Sequence, residues 1–452
     1  MQNSKDKQRT FAFIFQCSIE YRSLLLSGLY KELIKYHKVI LIMRECSSKN
    51  LDEYSAYYKI NTYKFDKKYF LHPMLKIENL VLASRKARHR IKKIGNFGYF
   101  SNDRALKWTD YILGNNFVFR ILNAFAVKKI HKHYVRKDIQ SIYQTLNITD
   151  VILCGYSNAG NKLFAINAIE SNINVWITLN NWKDLYVNNF IPFVPNKIFS
   201  WNNTMTREYL KRNMHLTQKN FSAIGNPAFD RFYKYKPNFS RSYYENKYGI
   251  QSKQSIILYT LLAPDVYSEE LEIVKLIGNV IKRNYPDKNN RPFLLLRRNP
   301  MDEETLNEKK IDDDIVFAEH YFEGSKEKAI FIQSIEGESE WLDLIYYSDI
   351  VVNVASTVTL EALMMKKPVI NIEFNGNGDN EPLLKKFTEA PFYTPLLNRP
   401  DIKVCRNIRE FESAFCIFIA KKHIQVPLPN LLGNFDGNAS KRLLEKIFED
   451  KL

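Results

Sequence analysis

Val351 to Ile370 reads VVNVASTVTLEALMMKKPVI. A short apolar run with the composition of a buried strand stops at Ala355-Ser356-Thr357. The next residues are helical in pattern, and Lys366-Lys367-Pro368 leads into a second apolar run. A strand, a helix and a second strand of this kind form a right-handed crossover in a parallel sheet. In an open parallel sheet ligands sit beyond the carboxyl ends of the strands. Ser356 and Thr357 fall at the start of the helix, where free backbone N–H groups and the helix dipole favour an anion such as a phosphate. Glu361 follows about one turn later. A plain N-cap role for Ser356 is the alternative on the tripeptide alone.

The same alternation runs along the chain. Phe11–Phe15, Lys38–Met43, Asp150–Gly155, Asn174–Leu179, Lys197–Trp201 and the stretch FSAIG read as strands in the first half. Ser255–Leu261, Pro292–Arg298, Asp314–Ala318, AIFIQ, Asp349–Val354 and Pro368–Ile372 do so in the second. Helical segments separate many of them. Short continuous apolar runs of this sort predict parallel sheets covered on both faces, hence two doubly wound α/β domains. The polar stretch Tyr235 to Gly249 is the expected hinge. The boundaries expected are 1–236, 237–432, and a C-terminal helix over 433–452 that crosses back to the first domain. Asn438 or Ser440 is placed to cap that helix.

Composition limits the partners. The chain has 452 residues, 45% hydrophobic and 25% charged, an ordinary globular balance. It has no apolar run long enough to span a bilayer. Its five cysteines are scattered with no metal-binding spacing, which predicts a reduced, cytoplasmic setting. The net charge of +17 favours anionic partners. Arg85 to Lys93 (RKARHRIKK) holds six Lys/Arg in nine residues, with an apolar stripe at helical spacing. Such a basic amphipathic helix is suited to acidic lipid, which predicts a protein peripheral to the inner face of the cell membrane. A solvated face is the plainer alternative, and no nucleic-acid partner is expected. Gly155–Lys162 has the glycines of a P-loop but Asn161 where its lysine belongs. No GxGxxG or GxSxG element appears.

With its neighbours, SDIVVNVASTVTLEALMMKKPVI resembles the donor-site signature of nucleotide-sugar glycosyltransferases of the GT-B fold. Within that fold the chain is similar to the CDP-glycerol glycerophosphotransferase-like and surface-polysaccharide glycosyltransferase group. KIFSWNNTMTREYLKR resembles the group's Trp-Asn element, and FSAIGNPAFDRFY its Gly-x-Pro-x-Phe-Asp element. LLLRRNPMD resembles its Arg-x-His-Pro turn, with Asn299 where histidine is usual. That departure puts in doubt any role needing an imidazole there.

The resemblance implies two Rossmann-like domains with parallel sheets facing across a cleft. The implied activity is transfer of a sugar from a nucleotide-activated donor to a glycan or lipid-linked acceptor in surface polysaccharide synthesis. Donor binding falls to Arg298, Ser356, Thr357, Glu361 and Asp379, with Glu361 accepting from ribose hydroxyls. Candidates for the catalytic base are Asp184 and Glu20, and Arg22, Asn158 and Trp182 face the acceptor or cleft. No metal and no cofactor beyond the activated co-substrate is implied. Three rival readings remain: an alditol-phosphate transferase using CDP-glycerol, a sugar-nucleotide 2-epimerase of the same fold, and a non-enzymatic basic RNA- or lipid-binding scaffold.

Overall fold

A computed structural model describes residues 8–15, 20–44, 49–66, 76–91, 107–156, 159–179, 181–182, 190–213, 215–302, 305, 308–325, 330–390, 392–420 and 426–449. The chain divides into two units. One comprises Met1–Tyr233 together with Asn430–Leu452, the other Lys234–Pro429.

In the first unit seven strands form one sheet: β1 (Thr10–Phe15), β2 (Lys38–Arg44), β3 (Asn61–Phe65), β4 (Asp150–Cys154), β5 (Asn174–Thr178), β6 (Lys197–Ser200) and β7 (Phe221–Ala223). Their spatial order is β3-β2-β1-β4-β5-β6-β7, and every neighbouring pair is parallel. The central runs FAFIF and VILC are buried, which is why apolar residues occupy successive positions instead of alternating. Arg9 forms a buried ion pair with Asp150, whose carboxylate also accepts from Trp176 Nε1 at 2.9 Å.

The second unit has β8 (Ile256–Thr260), β9 (Phe293–Arg297), β10 (Lys310–Asp312) and β11 (Ile315–Phe317), then the hairpin β12 (Phe322–Ser325) and β13 (Ile330–Gln333). It continues with β14 (Ile350–Asn353), β15 (Val369–Ile372) and β16 (Ile402–Cys405). The main sheet runs β10-β11-β9-β8-β14-β15-β16, parallel except for the antiparallel edge pair β10–β11. AIFIQ was expected among the parallel strands. It belongs instead to the separate antiparallel pair β12–β13. Tyr235 to Gly249 folds with this second unit. The Asp343 carboxylate accepts from the Asn238 and Phe239 backbone N–H groups, each at 3.0 Å, and from the Tyr244 hydroxyl at 2.8 Å.

The C-terminal helix Ala439–Glu449 belongs to the first unit. Its N-terminus is capped by a distant residue: Asp230 accepts from Ala439 N at 3.0 Å and Ser440 N at 2.8 Å. Asp230 closes the Gly-x-Pro-x-Phe-Asp element, so that motif holds the returning helix. The Trp-Asn element acts similarly, with Asn202 Nδ2 donating to Leu431 O at 2.8 Å.

Candidate functional site

In the second unit the carboxyl ends of four adjacent strands lie in register. Arg297 pairs with Thr260, Thr260 with Asn353, and Asn353 with Asn371. Neighbouring parallel strands are about 4.8 Å apart and register partners share a face of the sheet. A row of polar residues therefore ends β9, β8 and β14 and stands one residue before the end of β15, and the residues preceding it in these strands are apolar and buried.

Beyond Asn353 the chain turns through Val354 and Ala355 into the helix Thr357–Met364. Ser356 is its N-cap. The Ser356 hydroxyl oxygen accepts from Val358 N at 3.3 Å, and its carbonyl accepts from Thr359 N at 3.1 Å. Ser356 and Thr357 are half-buried, at the carboxyl edge where an anion would meet the first turn. The helix is locked to the sheet below. Thr359 Oγ1 donates to Asn353 Oδ1 at 3.1 Å, and Asn371 Nδ2 donates to the same oxygen at 3.0 Å. The Tyr393 hydroxyl completes the network, with Asn371 Oδ1 and Thr359 Oγ1 as neighbours. Asn353 Nδ2 has no partner among the described residues.

Glu361 is buried on the inner side of this helix and accepts from Trp341 Nε1 at 2.9 Å. Trp341 stands on the helix Ile335–Tyr347. On its ring face sits Arg297, with the guanidinium carbon 3.6 Å from the ring centroid. Arg297 also donates to Gln333 Oε1 at 2.9 Å. Cation, indole and carboxylate thus form one connected set.

Arg298 requires a correction. Strand neighbours point to opposite faces, and this side chain turns away from the row and is buried. Its Nε lies 3.1 Å from Thr305 O, its Nη1 3.0 Å from Ala318 O, and its Nη2 donates to Thr305 O and Glu308 O. All three nitrogens are committed to the protein, so Arg298 pins the segment after β9. The cation in the row is Arg297. His320, just past β11, is a further residue the sequence did not suggest. Burial first, and then the Arg298 and Arg297 charges, hold its pKa below the usual histidine range. It brings an imidazole to the neighbourhood of Arg298, Asp302 and Arg297.

Asp379 is exposed in a tight loop in which Asn375 N donates to Asp379 O at 2.8 Å. On the opposite face of the sheet from the row, Glu270 is buried. It accepts from Leu262 N at 2.6 Å and from the Tyr259 hydroxyl at 3.0 Å. Burial, reinforced by nearby Asp302, pushes its pKa up to about 8.

In the first unit, Glu20 is buried in the helical turn that follows β1. Arg22 is half-buried, its guanidinium 5.8 Å from the Tyr21 ring centroid. Trp182 is fully buried. Asp184 and Asn158 lie outside the described residues, as do Lys92 and Lys93 of the basic run. The helix Lys76–Ile91 carries the rest of that run. Among the described residues no cluster of His, Cys, Asp or Glu is placed to hold a metal ion. Asp313 and Asp314, in the turn between β10 and β11, pair with Lys310 at 2.8 Å and Arg291 at 2.5 Å.

No family model matches the chain, and no curated protein matches it. Solved structures match it over nearly its full length. The UDP-GlcNAc 2-epimerase of Neisseria meningitidis, solved with UDP-GlcNAc bound, is 14% identical. The match covers 97% of this chain and 100% of that one, with a TM-score of 0.58. The UDP-GlcNAc 2-epimerase of Methanocaldococcus jannaschii, in complex with UDP-GlcNAc and UDP, is also 14% identical. There the coverage is 97% and 99% and the TM-score 0.56. The chain has the GT-B fold of these proteins, two Rossmann-like units of parallel sheet with helices on both sides.

Proposed function

We propose that the second unit binds a nucleotide-activated sugar and that the protein transfers the sugar to a glycan or lipid-linked acceptor. Surface polysaccharide synthesis at the inner face of the cell membrane is the proposed setting. The observation that carries the reading is the Asn353–Glu361 segment. It combines a strand end, a helix start with two hydroxyls, and a carboxylate one turn inside held by Trp341. A donor diphosphate fits the first turn, with Ser356 and Thr357 adding hydroxyl donors and Arg297 supplying the cation expected of Arg298. Glu361 then accepts from the ribose hydroxyls. As the donor bond breaks, negative charge grows on the leaving diphosphate, and these fixed donors stabilise it. The acceptor hydroxyl needs a base, and Asp184 and Glu20 of the first unit are the candidates. Neither metal nor cofactor enters this scheme.

The full-length likeness to UDP-GlcNAc 2-epimerases favours a second reading, epimerisation of a nucleotide sugar without an acceptor. Both readings use the same nucleotide site. The CDP-glycerol reading keeps that site and moves an alditol phosphate.

Binding is tested by thermal shift with UDP, GDP, CDP, CMP, ADP and dTDP, on the wild type and on Glu361→Ala. A selective upward shift that the variant loses is the expected result. A Glu361→Ala protein with wild-type nucleotide affinity overturns the site. Products then separate the chemistries. Acceptor-dependent release of a nucleoside diphosphate marks the transferase, and a C2-epimeric nucleotide sugar without acceptor marks the epimerase. Release of CMP from CDP-glycerol marks the alditol-phosphate transferase.

A further inference from the structure

The first unit carries an apolar surface that its own fold does not cover. The helices Lys76–Ile91, Trp108–Gly114 and Asn116–Tyr134 pack on one another. The last of these buries Phe119, Asn123, Ala126, Ile130 and Tyr134 on one face. Its opposite face presents Phe117, Ile121 and Phe125 at four-residue spacing, with Phe117 70% exposed. Trp108 (73% exposed), Tyr111 and Ile112 extend the surface along the preceding helix. Continuing the same stripe at helical spacing, Lys128 and Lys132 are exposed, and Arg120 and Lys129 flank it. From Tyr111 through Lys137 the sequence contains six Lys or Arg and no Asp or Glu.

We propose that this face is a docking surface for an anionic lipid bilayer, with the aromatic and aliphatic side chains entering the interface and the lysines on the acidic headgroups. Aromatic rings favour the headgroup level, and lysines near the surface add attraction to acidic lipid. The charge argues against a second copy of the chain. A two-fold contact through this face would set Arg120, Lys128 and Lys132 of one copy against those of the other. The inference rests on this surface alone and not on the nucleotide site.

Trp108 gives a direct readout. Of the five tryptophans it alone is exposed, whereas Trp176, Trp182, Trp201 and Trp341 are fully buried. The full-length protein is mixed with vesicles of phosphatidylcholine alone, and with vesicles containing one-third phosphatidylglycerol. Expected are co-sedimentation with the anionic vesicles, weakened by high salt, and a blue shift of emission that Trp108→Phe abolishes. The triple variant Phe117→Ser/Ile121→Ser/Phe125→Ser should bind at least about ten-fold more weakly, its melting temperature unchanged. Should the triple variant fail to fold, quenching of wild-type Trp108 by brominated lipid decides. The proposal is overturned by a wild type that ignores anionic vesicles, by a folded triple variant that binds as wild type, or by an unquenched Trp108. It is equally overturned by a wild-type dimer that the triple variant converts to monomer with no vesicle binding.

Discussion

Glu361 and Trp341 are twenty residues apart and meet through one hydrogen bond. The carboxylate was legible in the sequence, because it follows a strand end and a helix start at fixed spacing. The indole was not, since nothing local ties it to the carboxylate. The choice between Arg297 and Arg298 was also hidden. In a strand buried on both faces, consecutive residues look equivalent until register assigns them sides. Trp341→Phe keeps the ring under Arg297 and removes the N–H. Nucleotide affinity should fall roughly ten- to a hundred-fold, the loss of one hydrogen bond to a charged group at about 1.5–3 kcal/mol. Glu361→Gln should fall further, and both are read by titration. Glu270 gives a pH test. Its pKa, about 8 when folded, exceeds the ordinary carboxyl value, so the native state holds a proton that the unfolded chain releases. Its contribution to stability is therefore full at pH below the unfolded value, and is lost as pH rises towards 8. Glu270→Gln should flatten that decline. Denaturant unfolding at pH 5, 6, 7 and 8 checks it, and parallel wild-type and variant curves would contradict it.

At the scale of elements, the sequence yielded the central strands and the edge strand β7, and not the edges β3, β10 and β16. FAFIF, VILC, IILY and IVV are unbroken runs of hydrophobic residues because helices cover both of their faces. The edge strand β3, NTYKF, has one fully buried residue and reads as polar, and the edge strands β10 and β16 are short. Edges keep such residues because they have one neighbour only. Local pattern found the start of the Ala439–Glu449 helix, where the Asn438 carbonyl accepts from Arg442 N at 3.0 Å, but only part of its cap. Asn438 and Ser440 were the sequence candidates, yet the carboxylate that meets its first N–H groups comes from Asp230. Asp230→Ala leaves those donors without it in a largely buried place, an expected loss of about 1–3 kcal/mol. In a unit of this size that is a fall in Tm of roughly 3–10 °C. Asp230→Asn should recover part of it, since one amide oxygen still accepts. Differential scanning calorimetry reads both variants.

The whole chain folds into units of different continuity. Lys234–Pro429 is one uninterrupted segment, whereas the first unit is completed by Asn430–Leu452. The returning segment is fitted closely to its unit. A Cβ on Gly433 would lie 2.0 Å from the Trp201 carbonyl oxygen, and one on Gly225 2.9 Å from that of Asn434. Leu443 and Ile447 are fully buried, and the Phe448 ring stacks on His37 with centroids 5.1 Å apart. Burying side chains of this kind is worth about 1.5–3 kcal/mol each. The two fully buried ones together, about 3–6 kcal/mol, are a large share of the whole stability of an ordinary domain, about 5–15 kcal/mol. Residues 234–429 expressed alone should therefore fold cooperatively and, if the donor site is as proposed, still bind nucleotide. Residues 1–233 alone should be unstable or aggregate. A fusion of 1–233 to 430–452 through a flexible linker should restore a cooperative melt. The linker must span the break without strain, which a glycine-serine segment of adjustable length allows. Circular dichroism melts of the three fragments decide the matter. A stable, cooperatively melting 1–233 would show that the returning helix adds little, and would remove the structural role assigned here to Asp230, Asn202 and the glycines that receive it.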